Sequence, residues 1–424
     1  MSMKFSVLLL PLVSFSITTS WLANASETNT QSSSQTPARC EFELVSFKAD
    51  FESARLNDCE QLADGSYLLT TDAENRPINP SPWYAFTVNA KQGLVIKAPE
   101  VKQSENLISI TIAAVNAKPR YLPKMQMPNG SWQVLDFSVT QAGMKFSLLL
   151  SDVPVKISAQ PIINNSHYEN WGNQFAAQGI FEKVTIGKST QGRSIFALVN
   201  KHKNNHEWLV LIGRQHPPEI TGAMAMLSFA ENINAATPQL SAFYDRFNVL
   251  IVPNINPDGV ASGNWRHNIK GADLNRDWGK FEQVETKVVN TYLEALLRPT
   301  NSQTPKLVFA LDFHSTQQDI FYTMPNDYSL APADFSDKWL ENVKANTVSS
   351  FVLRNRPGTS PGRGVFKQYI ADTYHVHAIT YEMGDNTPKV LIDHVAKISA
   401  AELIKHMLAT PSADFEYSQT KDNN

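Results

Sequence analysis

The chain has 424 residues, 42% of them hydrophobic and 18% charged, with a net charge of −3. That is enough apolar material for a real core and more length than one average domain, so two domains are expected. The nearly balanced charge lacks the basic footprint that nucleic-acid binding leaves, and no nucleic-acid partner is expected.

The N-terminus puts Lys4 before an apolar run, Phe5 to Ile17, followed by Ala23-Asn24-Ala25. That order predicts a secretory signal peptide over 1–25. The run is short of the roughly 20 residues of a span, no later stretch matches it, and no cysteine near the cut offers a lipid anchor. The chain is therefore expected to be exported, periplasmic or secreted, with no stable membrane anchor after cleavage. Residues 26–39 are polar and read as a flexible leader. The two cysteines, Cys40 and Cys59, follow directly. Export permits a disulfide, but their spacing does not decide between a bridge and two buried thiols.

From 40 to 162 the chain reads as β. The runs CEFELVSFKADF, SYLLTT, WYAFTV, GLVIKA, LISITIAAV, WQVLDFSV and MKFSLLL are separated by turn signals such as Asp64-Gly65 and Pro128-Asn129-Gly130. Short strands at this spacing predict a small all-β sandwich. From 163 to 410 strands and helices alternate. Strands are predicted at 195–200, 208–212, 247–252, 307–313 and 377–381, and helices at 220–233, 280–297, 334–350 and 389–408. This is an α/β pattern, a mixed, largely parallel central sheet flanked by helices. Residues 411–424 read as a polar tail.

In such sheets functional groups gather at the carboxyl ends of strands. His216 follows the 208–212 strand, and Glu219 stands three residues on at the mouth of a helix. A histidine and a carboxylate at that spacing suit zinc, which needs a third ligand and an open position for catalysis. His314, expected to end the 307–313 strand, is the best third ligand. His202, His206, His267, His375, His377, His394 and His406 read as structural or solvated. Glu382 closes another strand and can serve as a general base beside the metal. The long segment 254–278 carries Arg266 and Arg276, whose planar forks suit a carboxylate, and Asp273, which can hold the far nitrogen of a ligand histidine.

The motifs HPPE, NPDG, GNWR, DLNRDW, DFHS and TYE occur in this order, after TIGKSTQGRSI at 185–195. Together they resemble the zinc metallocarboxypeptidases of the carboxypeptidase A type, and more closely the cytosolic-carboxypeptidase (Nna1-like) branch and its bacterial relatives. The resemblance covers roughly Phe181 to Leu408. The PWYAFTV run looks like part of the sandwich domain that precedes the catalytic domain in that branch. The resemblance implies one zinc per chain on His216, Glu219 and His314, with Glu382 as general base and acid. It implies that Arg266 polarises the scissile carbonyl, that Asn275 and Arg276 hold the substrate's terminal carboxylate, and that Asp273 orients His216. Arg363, in Ser360-Pro361-Gly362-Arg363, implies a preference for acidic C-terminal residues. Peptide or protein C-termini would be the substrate.

Two departures stand out. No tyrosine in RPGTSPGRGVFKQYIADTY aligns with the family's closing tyrosine, although Tyr369 and Tyr374 lie there. The residues between His216 and Glu219 are Pro217-Pro218, which fix the backbone and would set the ligand separation in advance. A zinc N-acyl-amino-acid deacylase, a peptidoglycan stem-peptide amidase and a noncatalytic peptide- or wall-binding module remain alternatives. The NPDG and GNWR segments and the preceding β region favour a carboxypeptidase.

Overall fold

Two strands of the first 160 residues, Tyr67–Thr71 and Met144–Leu149, bury every second side chain, so their sheet has one apolar face to cover. The structure, a computed structural model, describes residues 40–91, 106–202, 205–300 and 304–417. The expected signal peptide, the leader, the GLVIKA run and the last residues of the tail lie outside these.

Two five-stranded sheets form the β region. One runs Val45–Lys48, Ala85–Ala90, Val155–Ser158, Lys124–Gln126, Trp132–Val134, and is antiparallel throughout. The other runs Asp58–Gln61, Tyr67–Thr71, Leu107–Ala114, Met144–Leu149, Phe137–Val139, with one parallel pair. Phe47 from the first meets Tyr67 from the second with ring centroids 5.3 Å apart, so the apolar faces oppose each other. Cys40 and Cys59 form a disulfide that closes a loop across 19 positions; a loop of this size stabilises by about 3 kcal/mol through the unfolded chain.

Several elements differ from the sequence expectation. The run WQVLDFSV is two strands in different sheets, because the chain crosses over at Leu135-Asp136, where Leu135 N donates to Pro123 O at 2.9 Å. Alternation does not mark such a corner. The first run shortens to Val45–Lys48. Asp58–Gln61, Lys124–Gln126 and Val155–Ser158 pair although their sequences are short and polar.

The remainder is built on an eight-stranded mixed sheet. Its order is Glu182–Lys188, Ser194–Asn200, Phe247–Val252, Glu207–Gly213, Lys306–Thr316, Ala378–Gly384, Ile320–Thr323, Asn355–Pro357. The four strands from Phe247–Val252 to Ala378–Gly384 are parallel. Phe247–Val252 and Glu207–Gly213 are buried at every position, as strands covered on both faces must be. Alternate residues feed two cores. Leu209, Leu211, Val249 and Ile251 face the helices Ile220–Ile233 and Lys389–Ala409. Val210, Ile212, Leu250 and Val252 share the other core with residues of Val284–Leu296 and Phe366–Tyr374. The first core is continuous with the interior of the β sandwich, and the described residues belong to one compact unit.

Two predicted helices are shorter than expected. The one expected over 280–297 begins at Val284. Asp277 accepts the amides of Glu282 and Gln283 at 3.1 and 3.0 Å, and Phe281 has a left-handed φ of 54°, so the chain turns first. The helix expected over 334–350 stops at Asn346, where Thr347 becomes extended. The strand carrying His314 is longer than expected. Its ladder with Ala378–Gly384 continues through His314↔Glu382 to Thr316↔Gly384, so His314 lies inside the strand rather than at its end. Among the described residues no helix is long and apolar enough to cross a membrane.

Candidate metal centre and substrate site

The parallel strands Glu207–Gly213 and Lys306–Thr316 bring Gly213 beside Phe313, so His216 and His314 emerge at the same end of the sheet. Glu219 is the N-cap of Ile220–Ile233 and offers no side-chain cap to that helix; its carboxylate turns to the histidines instead. The helix start must press on the strand, since a Cβ at Gly222 would lie 2.1 Å from His314 O. Ser315 ties the two together: its Oγ accepts Gly222 N at 2.8 Å, and its N donates to Glu219 Oε2 at 3.1 Å. Arg214, at a left-handed φ of 57°, donates its Nε to Pro217 O at 2.9 Å and Nη1 to Tyr168 at 3.0 Å. The HPPE turn is thus held by its own proline carbonyl.

The result is a buried cluster. His216 Nδ1 lies 2.9 Å from Glu219 Oε1, and His314 Nδ1 lies 2.8 Å from Glu219 Oε2. The ligand atoms of all three residues lie within 4.8 Å of one another. The far nitrogens rest on carboxylates, His216 Nε2 on Asp273 Oδ1 at 2.9 Å and His314 Nε2 on Asp312 Oδ2 at 2.7 Å. Gln215 Nε2 also donates to Asp312 at 2.7 Å, and Trp278 Nε1 donates to Gln215 Oε1 at 2.9 Å. Asp312 was not anticipated from sequence. Its signal was available, for residues two apart on a strand share a face, and Asp312 precedes His314 by two.

The charges follow this layout. Burial opposes ionisation of Glu219, but His216 and His314 outweigh it and hold the carboxyl well below its usual range. Burial likewise opposes charge on His314, yet Asp312 and then Glu219 raise it well above an ordinary histidine. Asp273 is held low against burial by His216, Arg266 and Arg276. A buried set that favours a positive charge between two imidazole Nδ1 atoms and a carboxylate fits a dication with N and O ligands. Three protein ligands is the zinc count that leaves room for a reactant.

Glu382 sits across the ladder from His314, in register and so on the same face of the sheet. Burial first, then the charge of Glu219, push its carboxyl up to about 7. Arg120, from the β region, reaches this edge. It grips Asp385 with Nε at 2.7 Å and Nη2 at 3.0 Å, and Nη2 also donates to Ser315 O at 3.0 Å.

The other side of the site is coil. The segment 254–278 contains a short helix, Pro257–Ala261, and a 3-10 turn, Leu274–Arg276. Asn256 caps that helix by accepting Gly259 N at 3.0 Å and donates to Gln215 O at 3.0 Å. Asp258 takes Ser189 Oγ, Gln191 N and Arg193 Nη1 at 2.7 to 2.8 Å. NPDG and TQGR are therefore one structural knot behind the ligand turn. Arg266 donates Nε to Asp273 Oδ2 at 2.7 Å, so Asp273 joins Arg266 to His216. The Asn275 amide lies with Nδ2 3.4 Å from His314 Nε2, while Oδ1 accepts Phe366 N at 2.9 Å. Arg276 donates Nη1 to Asn275 O at 2.6 Å.

Arg363 is exposed, on a loop seated against Arg276. Trp278 N donates to Gly364 O at 3.1 Å, and a Cβ at Gly364, which has a φ of 69°, would lie 2.2 Å from Arg276 O. Burial lowers the Arg276 guanidinium against the pull of Asp273, and Arg266 and Arg363 add repulsion. Three guanidiniums therefore share one electrostatic neighbourhood. Tyr369 packs on Trp278 and Phe281 and donates its hydroxyl to Asn290 at 2.8 Å. Of the seven histidines set aside, His267 lies beside the site, with Nδ1 2.8 Å from Asn75 Oδ1.

The zinc carboxypeptidase profile (Peptidase_M14) matches residues 168–401, a span that contains every residue of this cluster. The chain belongs to the zinc carboxypeptidase family. Members of this family depend on zinc, and His216, Glu219 and His314 are the site present here. The chain is similar to cytosolic carboxypeptidase 3 of Mus musculus, 24% identical over 318 residues, which is 69% of this chain and 31% of that one. Cytosolic carboxypeptidase 2 of Xenopus tropicalis is 33% identical over 101 residues, 22% of this chain and 10% of its own length. The chain thus spans about a third or less of these curated relatives. Among solved structures, a metallo-carboxypeptidase from Burkholderia cenocepacia superposes with a TM-score of 0.69 at 16% identity, over 86% of this chain and 99% of that one. A metallo-carboxypeptidase from Pseudomonas aeruginosa, solved in complex with (2-guanidinoethylmercapto)succinic acid, gives 0.68 at 20% identity, over 87% and 100%. At these identities the match is one of fold.

Proposed function

We propose that the protein is a zinc-dependent carboxypeptidase that hydrolyses the last peptide bond of peptides or proteins with a free C-terminus. The observation that carries this is the convergence of His216, Glu219 and His314 within 4.8 Å, with Glu382 in register beside His314. Zinc bound by these three residues would supply Lewis acidity, making water a nucleophile near neutral pH. The Glu382 carboxylate takes a proton from the attacking water and returns it to the nitrogen of the departing residue. Its half-buried position, in register with His314, suits both halves of that exchange. Arg266 hydrogen-bonds the carbonyl oxygen as it gains charge. Asn275 and Arg276 hold the terminal carboxylate, the Arg276 fork being suited to it. Asp273 fixes the tautomer and direction of His216 and, by symmetry, Asp312 does so for His314. Arg363, close enough to Arg276 to repel it, gives the pocket a preference for a C-terminal Glu or Asp.

The protein is exported in this reading, to the periplasm or beyond the cell. Lys4, the apolar run after it and Ala23-Asn24-Ala25 support this, and a Cys40–Cys59 disulfide fits an oxidising compartment.

The test is amino-acid release by the zinc-loaded protein from a panel that varies the C-terminal residue. The panel includes an amidated end, an N-acyl amino acid and a γ-D-Glu stem peptide, and Glu382→Gln serves as the control. Release from free C-termini only, reduced about 10²- to 10⁴-fold in Glu382→Gln, is expected. Release from the acyl amino acid or the stem peptide alone would move the function to a deacylase or amidase. An Arg363→Ala variant that keeps its preference for acidic ends removes the specificity assignment.

A further inference from the structure

The loop that carries Arg266 has a support that comes from outside the α/β region. Three consecutive amides converge on one carboxylate. Trp265 N donates to Glu74 Oε2 at 2.7 Å, and Arg266 N and His267 N donate to Glu74 Oε1 at 3.0 and 2.6 Å. Successive amides aimed at one point make a cradle for an anion, and here the chain's own Glu74 fills it from the turn after strand Tyr67–Thr71. Asn75 holds the far end of the same loop. Its Oδ1 lies 2.8 Å from His267 Nδ1, and its Nδ2 donates to Gly271 O at 3.2 Å. Gly271 has a φ of 76°, and a Cβ there would lie 3.0 Å from the Asn75 amide. Trp265 is fixed too, its indole donating to Trp83 O at 3.1 Å.

Arg266 is the residue in the middle. Its backbone is pinned by Glu74 and its Nε by Asp273. Its two Nη groups make no hydrogen bond among the described residues. A guanidinium fixed at both its backbone and its first nitrogen has few directions left for the remaining donors. That is the preorganisation a developing oxyanion requires.

We propose that Glu74 is a positioning residue for Arg266, through which the β sandwich completes the active site without touching the substrate. The proposal rests on the assignment of Arg266 to the scissile carbonyl. A carboxylate that only stabilised a loop would change folding stability and leave turnover alone. A positioning carboxylate changes turnover through Arg266 and through nothing else.

The experiment is a double-mutant cycle on the full zinc-loaded chain, with Glu74→Ala, Arg266→Ala and the pair, on a peptide with a free C-terminus. Zinc content and melting temperature are read in parallel. Glu74→Ala is expected to lower kcat about 10- to 100-fold, the size of effect that small misplacements cause, with KM and zinc content little changed. The pair should be no slower than Arg266→Ala alone, and Glu74→Asp should recover part of the loss. If Glu74→Ala does not fold, Glu74→Gln, of equal size and with one acceptor oxygen left, carries the same cycle. Unchanged kcat in a folded Glu74 variant overturns the proposal while Arg266→Ala is impaired. So does a loss in the pair that multiplies the two single losses. Unchanged kcat in Arg266→Ala overturns the reading of Arg266 itself, and the proposal with it.

Discussion

The two halves of this site are built differently. His216, Glu219 and His314 stand on or beside parallel strands whose hydrogen-bond ladders fix them. Arg266 and Asp273 stand on coil and Asn275 and Arg276 on a 3-10 turn, and this segment is held from elsewhere, by the Glu74 and Asn75 side chains of the sandwich and by the Gly364 backbone of the loop below. The strand half gets its geometry from backbone repetition. The coil half has no ladder and needs a carboxylate aimed at its amides. Asp273 joins the two halves through His216 and Arg266, and Asn275 also reaches His314.

The comparison can be broken most strongly at the ligands. Glu219→Ala should abolish zinc binding and hydrolysis together, because two histidines alone lose the carboxylate that both face. Metal analysis of the purified variant checks this, and a fully loaded, active variant would dismiss the cluster. Next come the two carboxylates behind the histidines. Asp312→Asn should weaken zinc about 10- to 100-fold, with kcat recovered at saturating metal. Asp273→Asn should weaken zinc similarly but keep a kcat defect after saturation, since Arg266 also loses its partner. Zinc titration followed by turnover at excess metal separates the two.

A smaller effect is expected at the helix that presents Glu219. Gly222→Ala forces a Cβ to within 2.1 Å of His314 O, and overpacking of this kind costs about 1–3 kcal/mol. Urea unfolding would measure it. Smallest is a pH effect under the loop that carries Arg363. Lys367 donates to Thr323 O at 2.7 Å and to Gly358 O, and burial pushes its ammonium down to about 8 from the usual 10.5. Between those values the unfolded chain holds more protons than the folded one, so folding gains stability as pH rises through the window. The stability of the parent relative to Lys367→Met should therefore grow from pH 8 to 10.5, by on the order of 1 kcal/mol. A flat difference across that range would show that the amine stays charged.

Much of the α/β region was legible because its signals are local. Phe247–Val252 and Ile220–Ile233 lie where apolar runs and helical spacing place them. The ligand residues could be read as chemistry-bearing side chains next to strand ends. What escaped the reading has no local signal. Glu74 lies in a turn of the sandwich, and nothing around it differs from a solvated acid. Arg120 is an ordinary surface-type arginine until Asp385 is folded against it. The run WQVLDFSV reads as one strand because alternation persists across a corner that only sheet packing creates.

The sequence by itself determined the alternation of strands and helices, the β region ahead of them, and the residue types able to hold a metal and move a proton. These follow from periodicity and from side-chain chemistry, which are properties of neighbours in the chain. Tertiary structure decided the rest: that His314 sits inside its strand, that Asp312 backs it, that Cys40 meets Cys59, and that Glu74 fills a cradle of amides far along the chain. The physical reason is range. A backbone period acts over a few residues, whereas a buried charge is satisfied by whatever partner the packed core brings within 3 Å.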